Sequence, residues 1–219
     1  MSSHLSRPAL AIGVGLTLLL AGAATAAPAK TPAKPVCNLI SDPKGDTFAL
    51  RSQDTAGQYG PQEDGMDIVS GDVASDAKTL TGVLRVANLS AVVPSSPGGV
   101  SFDINFLSAT SDAPLYIRAV VTPAGATAEA GSRQTVAVTS LSTALGAGTV
   151  VVDKPKNEVR FSFPVALFAS VGGLKPGSKL VFGDITTGRA ITTRAVFADV
   201  ATEAKSYTVG SPSCVVPGK

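Results

Sequence analysis

No histidine follows His4, and tryptophan is absent from the whole chain. Once a leader containing His4 is removed, no imidazole remains to activate a serine or cysteine nucleophile, complete an ordinary zinc site or ligate haem. Met66 is the only methionine beyond the first residue, and there are only two cysteines. Charge is sparse and mixed: 18 Lys and Arg against 16 Asp and Glu give a formal +2, so no basic stripe marks a nucleic-acid binder. These absences exclude the commonest routes to catalysis.

What is present begins with an export pattern. Met1 to Pro8 carries His4 and Arg7, Ala9 to Leu20 is an unbroken run of apolar and small residues, and Ala24-Thr25-Ala26 supplies an A-x-A cleavage signal. The pattern predicts a signal peptide over 1–26 and a secreted, extracellular product. The run falls short of the roughly 20 strongly apolar residues a spanning helix needs, so no membrane span is expected after cleavage. Ala23 stands where a lipoprotein box would need cysteine, which argues against a lipid anchor. The segment 27–36, rich in Pro, Ala and Lys, reads as an extended linker ahead of one domain over 37–219.

Cys37 and Cys214 sit near opposite ends of that domain. In an oxidising compartment two cysteines most simply form one disulfide, whereas a cytosolic setting would allow a metal or redox pair. Export selects the disulfide, and a bridge there predicts that the first and last strands lie side by side.

Beyond Val36 the apolar period is two. Val100, Phe102, Ile104 and Phe106 alternate with polar residues, as do Leu115, Ile117 and Ala119, and Val159, Phe161 and Phe163. Leu80, Leu84 and Val86 continue the theme, and each run reads as a strand with one wet face. Turn residues at Asp76 to Lys78, Pro94 to Gly99, Pro123 to Gly125, Lys154 to Asn157 and Lys175 to Gly177 separate the runs. The expected fold is all-β, an antiparallel β-sandwich of jelly-roll or immunoglobulin-like type, with one short helix over Pro164 to Val171. The Gly/Ala-rich stretches Ala124 to Gly131 and Leu145 to Gly148 read as mobile loops.

The chemically suggestive residues are acidic and early. Asp42-Pro43-Lys44-Gly45-Asp46 is a tight turn bearing two carboxylates, and Asp64, Asp67, Asp72 and Asp76 follow. Calcium takes six to eight oxygens from carboxylates, carbonyls and water, and such turns can supply them. Aspartate is also an ordinary turn residue, because its side chain bonds nearby N–H groups.

The run DPKGD, then MDIVSGDVASDAKTLTGVLRVANLS and a strand VSFDINF, resembles the front half of secreted β-sandwich domains of the DOMON and family-nine carbohydrate-binding-module type, in the form seen in exported actinobacterial proteins. The resemblance spans about half of the mature chain. It implies a sandwich that binds a sugar, a haem or a structural calcium, with Asp42, Asp46 and Asp67 as the calcium ligands. The sequence departs from the sugar binders in lacking tryptophan, leaving Tyr59, Tyr116 and Tyr207 as a weaker stacking surface. It departs from the haem binders in offering Met66 without histidine.

Other motifs lead nowhere. Ser75-Asp76-Ala77-Lys78 fits S-x-x-K but sits at a strand end, and no S-D-N or K-T-G follows it. The functional expectation is a non-catalytic binding or adhesion module, with cell-wall or extracellular polysaccharide or an envelope protein as partner. A structural or accessory envelope protein and a carboxylate-only glycoside hydrolase are the alternatives.

Overall fold

The computed structural model describes residues 33–47, 49–50, 59–60, 63–91, 99–111, 113–136, 139–191 and 194–217; the expected signal segment lies outside them. Residues 33–219 belong to one compact unit. Its strands are, in chain order, β1 (Ile40–Ser41), β2 (Ala49–Leu50), β3 (Tyr59–Gly60), β4 (Ile68–Ser75) and β5 (Thr79–Val86). Then come β6 (Val100–Ser108), β7 (Leu115–Thr122), β8 (Gly125–Val136), β9 (Thr139–Ala147) and β10 (Thr149–Asp153). The last are β11 (Glu158–Pro164), β12 (Lys179–Ile191), β13 (Arg194–Val200), β14 (Glu203–Ala204) and β15 (Tyr207–Thr208).

Two antiparallel sheets form the sandwich. One runs β10-β11-β5-β4-β1-β14; the other runs β13-β12-β6-β7-β8-β9, with β15 beside β12. The period-two pattern explains the core. Phe102, Ile104, Leu115, Ile117, Leu80, Leu84, Phe161 and Phe163, each completely buried, come from both inner faces and meet in one cluster. Burying a side chain of this kind contributes about 1.5–3 kcal/mol, which is what fixes the register.

The outer face of β6 departs from the expected wet surface. Asp103 is only 1% exposed, because Arg118 from β7 reaches its Oδ1 at 2.5 Å and Arg133 from β8 approaches at 3.5 Å. Long arginine stems cover polar strand positions while keeping their charged heads partly in water.

The small residues expected to form loops lie in strands instead. Gly125–Val136 is β8 and Thr139–Ala147 is β9. The reason is steric: a Cβ on Gly131 would stand 2.4 Å from the Tyr116 ring, and one on Gly148 would stand 2.4 Å from Phe163. Glycine there admits a large neighbour and says nothing about mobility. The expected helix forms as a short 3-10 segment, Val165–Val171, with Pro164 preceding it as the cap residue.

Cys37 and Cys214 are bonded, with Cα atoms 5.1 Å apart. The chain beside them forms a parallel bridge between Val36 and Ser213. The strands themselves do not follow the simplest expectation: β1 pairs with β14, while β15 joins the other sheet through β12. Val215, next to the bridge, packs on Ala74 and Val83 and so covers the outer face of β4 and β5.

Candidate metal centre

The turn after β1 is shaped by Gly45, whose φ of 93° lies in the left-handed region that glycine occupies without steric cost. That conformation folds the turn back so that the Gly45 N–H donates to Asp67 Oδ2 at 2.8 Å. Asp67 lies just before β4 and is 1% exposed. Asp42, at the start of the turn, accepts from both the backbone N–H and the hydroxyl of Thr202 at 2.8 Å. Asp42 also borders an open depression of about 210 Å³ shared with Ser41, Pro43, Thr202 and Glu203.

A fourth carboxylate arrives from the other sheet. Asp199 on β13 is 2% exposed and accepts from the Ile68 N–H at 2.6 Å and the Val200 N–H at 2.9 Å. One carboxylate oxygen from each of Asp42, Asp46 and Asp199 lies within 4.8 Å of the other two. Of the expected trio, the structure therefore unites Asp42 and Asp46 with Asp199, while Asp67 holds the turn from beneath. Asp64, Asp72 and Asp76 stand apart from this group. Asp76 bonds the Lys78 and Thr79 N–H groups at 2.7 Å as an ordinary turn cap, and Asp72 accepts from Ser213 at 2.5 Å.

The charge balance at this site differs from that around the other buried acids. Asp103 is met by two arginines, and Glu158 by Arg85 and Arg160 at 3.0 and 3.1 Å. Among the described residues, no lysine or arginine forms an ion pair with Asp42, Asp46, Asp67 or Asp199. Burial pushes the Asp199 carboxyl up to about 7, and the neighbouring charges of Asp42 and Asp46 add to the effect. Burial also raises Asp42 and Asp67, partly offset by the Thr202 and Gly45 hydrogen bonds.

Among the described residues, two buried carboxylate oxygens here, Asp42 Oδ2 and Asp46 Oδ1, have no hydrogen-bond partner, while the Asp67 carboxylate is held by the Thr47 hydroxyl and the Gly45 N–H. An unsatisfied buried acceptor costs about 1–3 kcal/mol, and more when charged. Both sit on one turn, and hydrogen bonding among the described residues leaves them unanswered. The donors are hard oxygens with no nitrogen or sulfur among them, which suits calcium and excludes a thiolate or imidazole zinc site.

Asp199 was not among the acids the sequence singled out. Its signal is a lone charge inside the apolar run Ala195 to Val200. A carboxylate placed among strand-core residues needs a partner, and only the fold shows which one.

The tyrosines do not make the stacking surface. Tyr116 is 1% exposed, with the Arg118 and Arg133 guanidinium groups each 5.2 Å from its ring centre and its hydroxyl donating to Glu129 at 2.5 Å. Tyr207 is buried as well. The side chain of Tyr59 lies outside the described residues.

No family model matches this chain, and no curated protein or solved structure matches it.

Proposed function

We propose that the protein is a secreted, non-catalytic β-sandwich module that binds calcium through Asp42, Asp46 and Asp199, on a turn that Asp67 holds in place, and acts in the extracellular space or cell envelope by binding a polysaccharide or envelope protein. The observation that carries the calcium reading is the convergence of the Asp42, Asp46 and Asp199 carboxylates from both sheets at one turn, where no cation among the described residues pairs with them and Asp42 Oδ2 and Asp46 Oδ1 are buried without a hydrogen-bond partner. A divalent cation there neutralises the cluster and fastens the β1–β2 turn to β4 and to β13. The disulfide and the export pattern support the extracellular setting.

The non-catalytic reading is supported by how the acids are placed. A glycosidase needs two carboxyl groups roughly 5–9.5 Å apart across an open cleft. Here one oxygen each of Asp42, Asp46 and Asp199 lies within 4.8 Å of the other two, and Asp199 is buried. Such a group suits a bound ion better than a sugar ring.

The test is thermal unfolding of the purified protein in millimolar calcium, then in excess chelator, with calorimetric titration alongside. A ligand held only by the folded state stabilises it by RT ln(1 + [L]/Kd), about 2.7 kcal/mol at a hundredfold excess over Kd. The expected result is a melting temperature raised by calcium and lowered again by chelator. Identical melting in both, with no titration heat, returns the aspartates to turn chemistry. Retention on cell-wall or polysaccharide material tests the binding role separately.

A further inference from the structure

A sheet edge exposes unpaired N–H and C=O groups, and soluble proteins guard such edges with charge, proline, shortness or a covering element. The sandwich has four sheet edges, and three follow that rule. β14 is two residues long and carries Glu203; β13 carries Arg194 and Asp199. β10 is five residues long and ends at Asp153, which ion-pairs with Lys156 at 3.0 Å.

β9 is the exception. It runs for nine residues, Thr139–Ala147, at the end of its sheet, and it contains neither proline nor a charged residue. The chain carries no charge anywhere between Arg133 and Asp153. β9 leads directly through Gly148 into β10, so this uncharged run supplies one edge of both sheets. A second observation points to the same side of the molecule. Among the described residues, the two large apolar side chains left most open are Val151 on β10, 58% exposed, and Leu141 on β9, 53% exposed.

We propose that this edge is a dimer interface, at which β9 pairs antiparallel with β9 of a second copy of this chain. Antiparallel pairing of one edge with itself obeys twofold symmetry, which requires a self-complementary surface. β9 meets that requirement because it has no charge to oppose its own image. Its exposed Ser142, Thr143 and Ala144 fit closely spaced strands, and hydroxyl residues facing one another across strands add favourable pairs. A charged peptide would find no opposite charge here, so the second copy is the occupant the composition fits. Pairing extends the seven-stranded sheet through the twofold axis and removes an exposed edge from each partner.

Sedimentation equilibrium on the protein, with the double variant Ser142→Lys, Ala144→Lys on β9 beside it, tests the interface. Both positions are exposed, so the lysines are tolerated by the fold but place like charges face to face across the axis. The expected result is a concentration-dependent dimer that the lysines abolish, with the far-UV spectrum unchanged. Hydrogen exchange on the unmodified protein gives a readout that no substitution can confound: amides of 139–147 exchange more slowly as concentration rises. A protein that stays monomeric at every concentration, a dimer that survives the lysines, or exchange independent of concentration overturns the proposal.

Discussion

Asp199 on β13 of one sheet accepts a hydrogen bond from the Ile68 backbone N–H on β4 of the other, at 2.6 Å. The bond joins the sheets at the end of the sandwich where Asp42 and Asp46 gather. Thr187 on β12 makes a second tie there by donating to the Met66 carbonyl. The carboxylate that ties the sheets together is also one whose charge burial and the neighbouring Asp42 and Asp46 disfavour, and several consequences can be measured.

Asp46→Asn separates the role of charge from that of hydrogen bonding, because Asp46 Oδ1 has no partner among the described residues to lose. In chelator the variant is expected to be as stable as the parent or slightly more so, since one of several crowded charges is gone. In calcium it is expected to lose most of the stabilisation, for want of one charged ligand. Paired melting curves with and without calcium check both signs.

Stability without calcium should fall as pH rises. The folded state holds the Asp199 proton up to about pH 7, whereas the unfolded chain releases it near 3.8. Between these values the folded state binds more protons, so this group's contribution is fullest below the unfolded value and is lost as pH climbs through 7. Over that window the effect is on the order of a few kcal/mol. Calcium requires the ionised form, so its stabilising increment grows from pH 5 to pH 8. Urea titrations at both pH values, with and without calcium, give the four numbers needed.

Tyr207→Phe removes a hydroxyl that accepts from the Ser75 N–H at 2.8 Å and donates to the Ser211 carbonyl at 2.9 Å. A buried donor and an acceptor lose a partner, and the expected loss is about 1–3 kcal/mol. Calcium affinity should not change, so titration calorimetry on the variant distinguishes this packing defect from damage to the metal centre.

Cys37→Ser with Cys214→Ser opens a loop closed across 177 residues of sequence separation. In the chain-entropy account the bridge constrains the unfolded state by about 5 kcal/mol. The double variant should show a lowered urea midpoint, and reducing agent should lower that of the parent to match. A midpoint insensitive to both would mean that the bridge adds no net stability.

Much of the sandwich was legible because alternation is a local property. Val100, Phe102, Ile104 and Phe106 announce a buried face without reference to any other strand, and the structure buries all four. The turns at Asp76 and Asn157 were equally legible, since Asp76 bonds the chain two and three residues on, and Asn157 takes the left-handed conformation that closes its turn. The glycines of β8 and β9 were misread because their reason is a neighbour in space. Nothing near Gly131 in sequence says that the Tyr116 ring lies over it.

The acidic group divides along the same line. Asp42 and Asp46 share one turn, so the sequence by itself determined that two carboxylates would stand close together, just as it determined a β-rich chain with one pair of cysteines. Only the tertiary structure decided that Asp199, over 150 residues away, completes the group, that Asp67 supports it, and that no cation among the described residues pairs with them. The reason is physical. Alternation and turn chemistry act between residues a few bonds apart, whereas charge balance depends on distance through space, which only the packing of the two sheets sets.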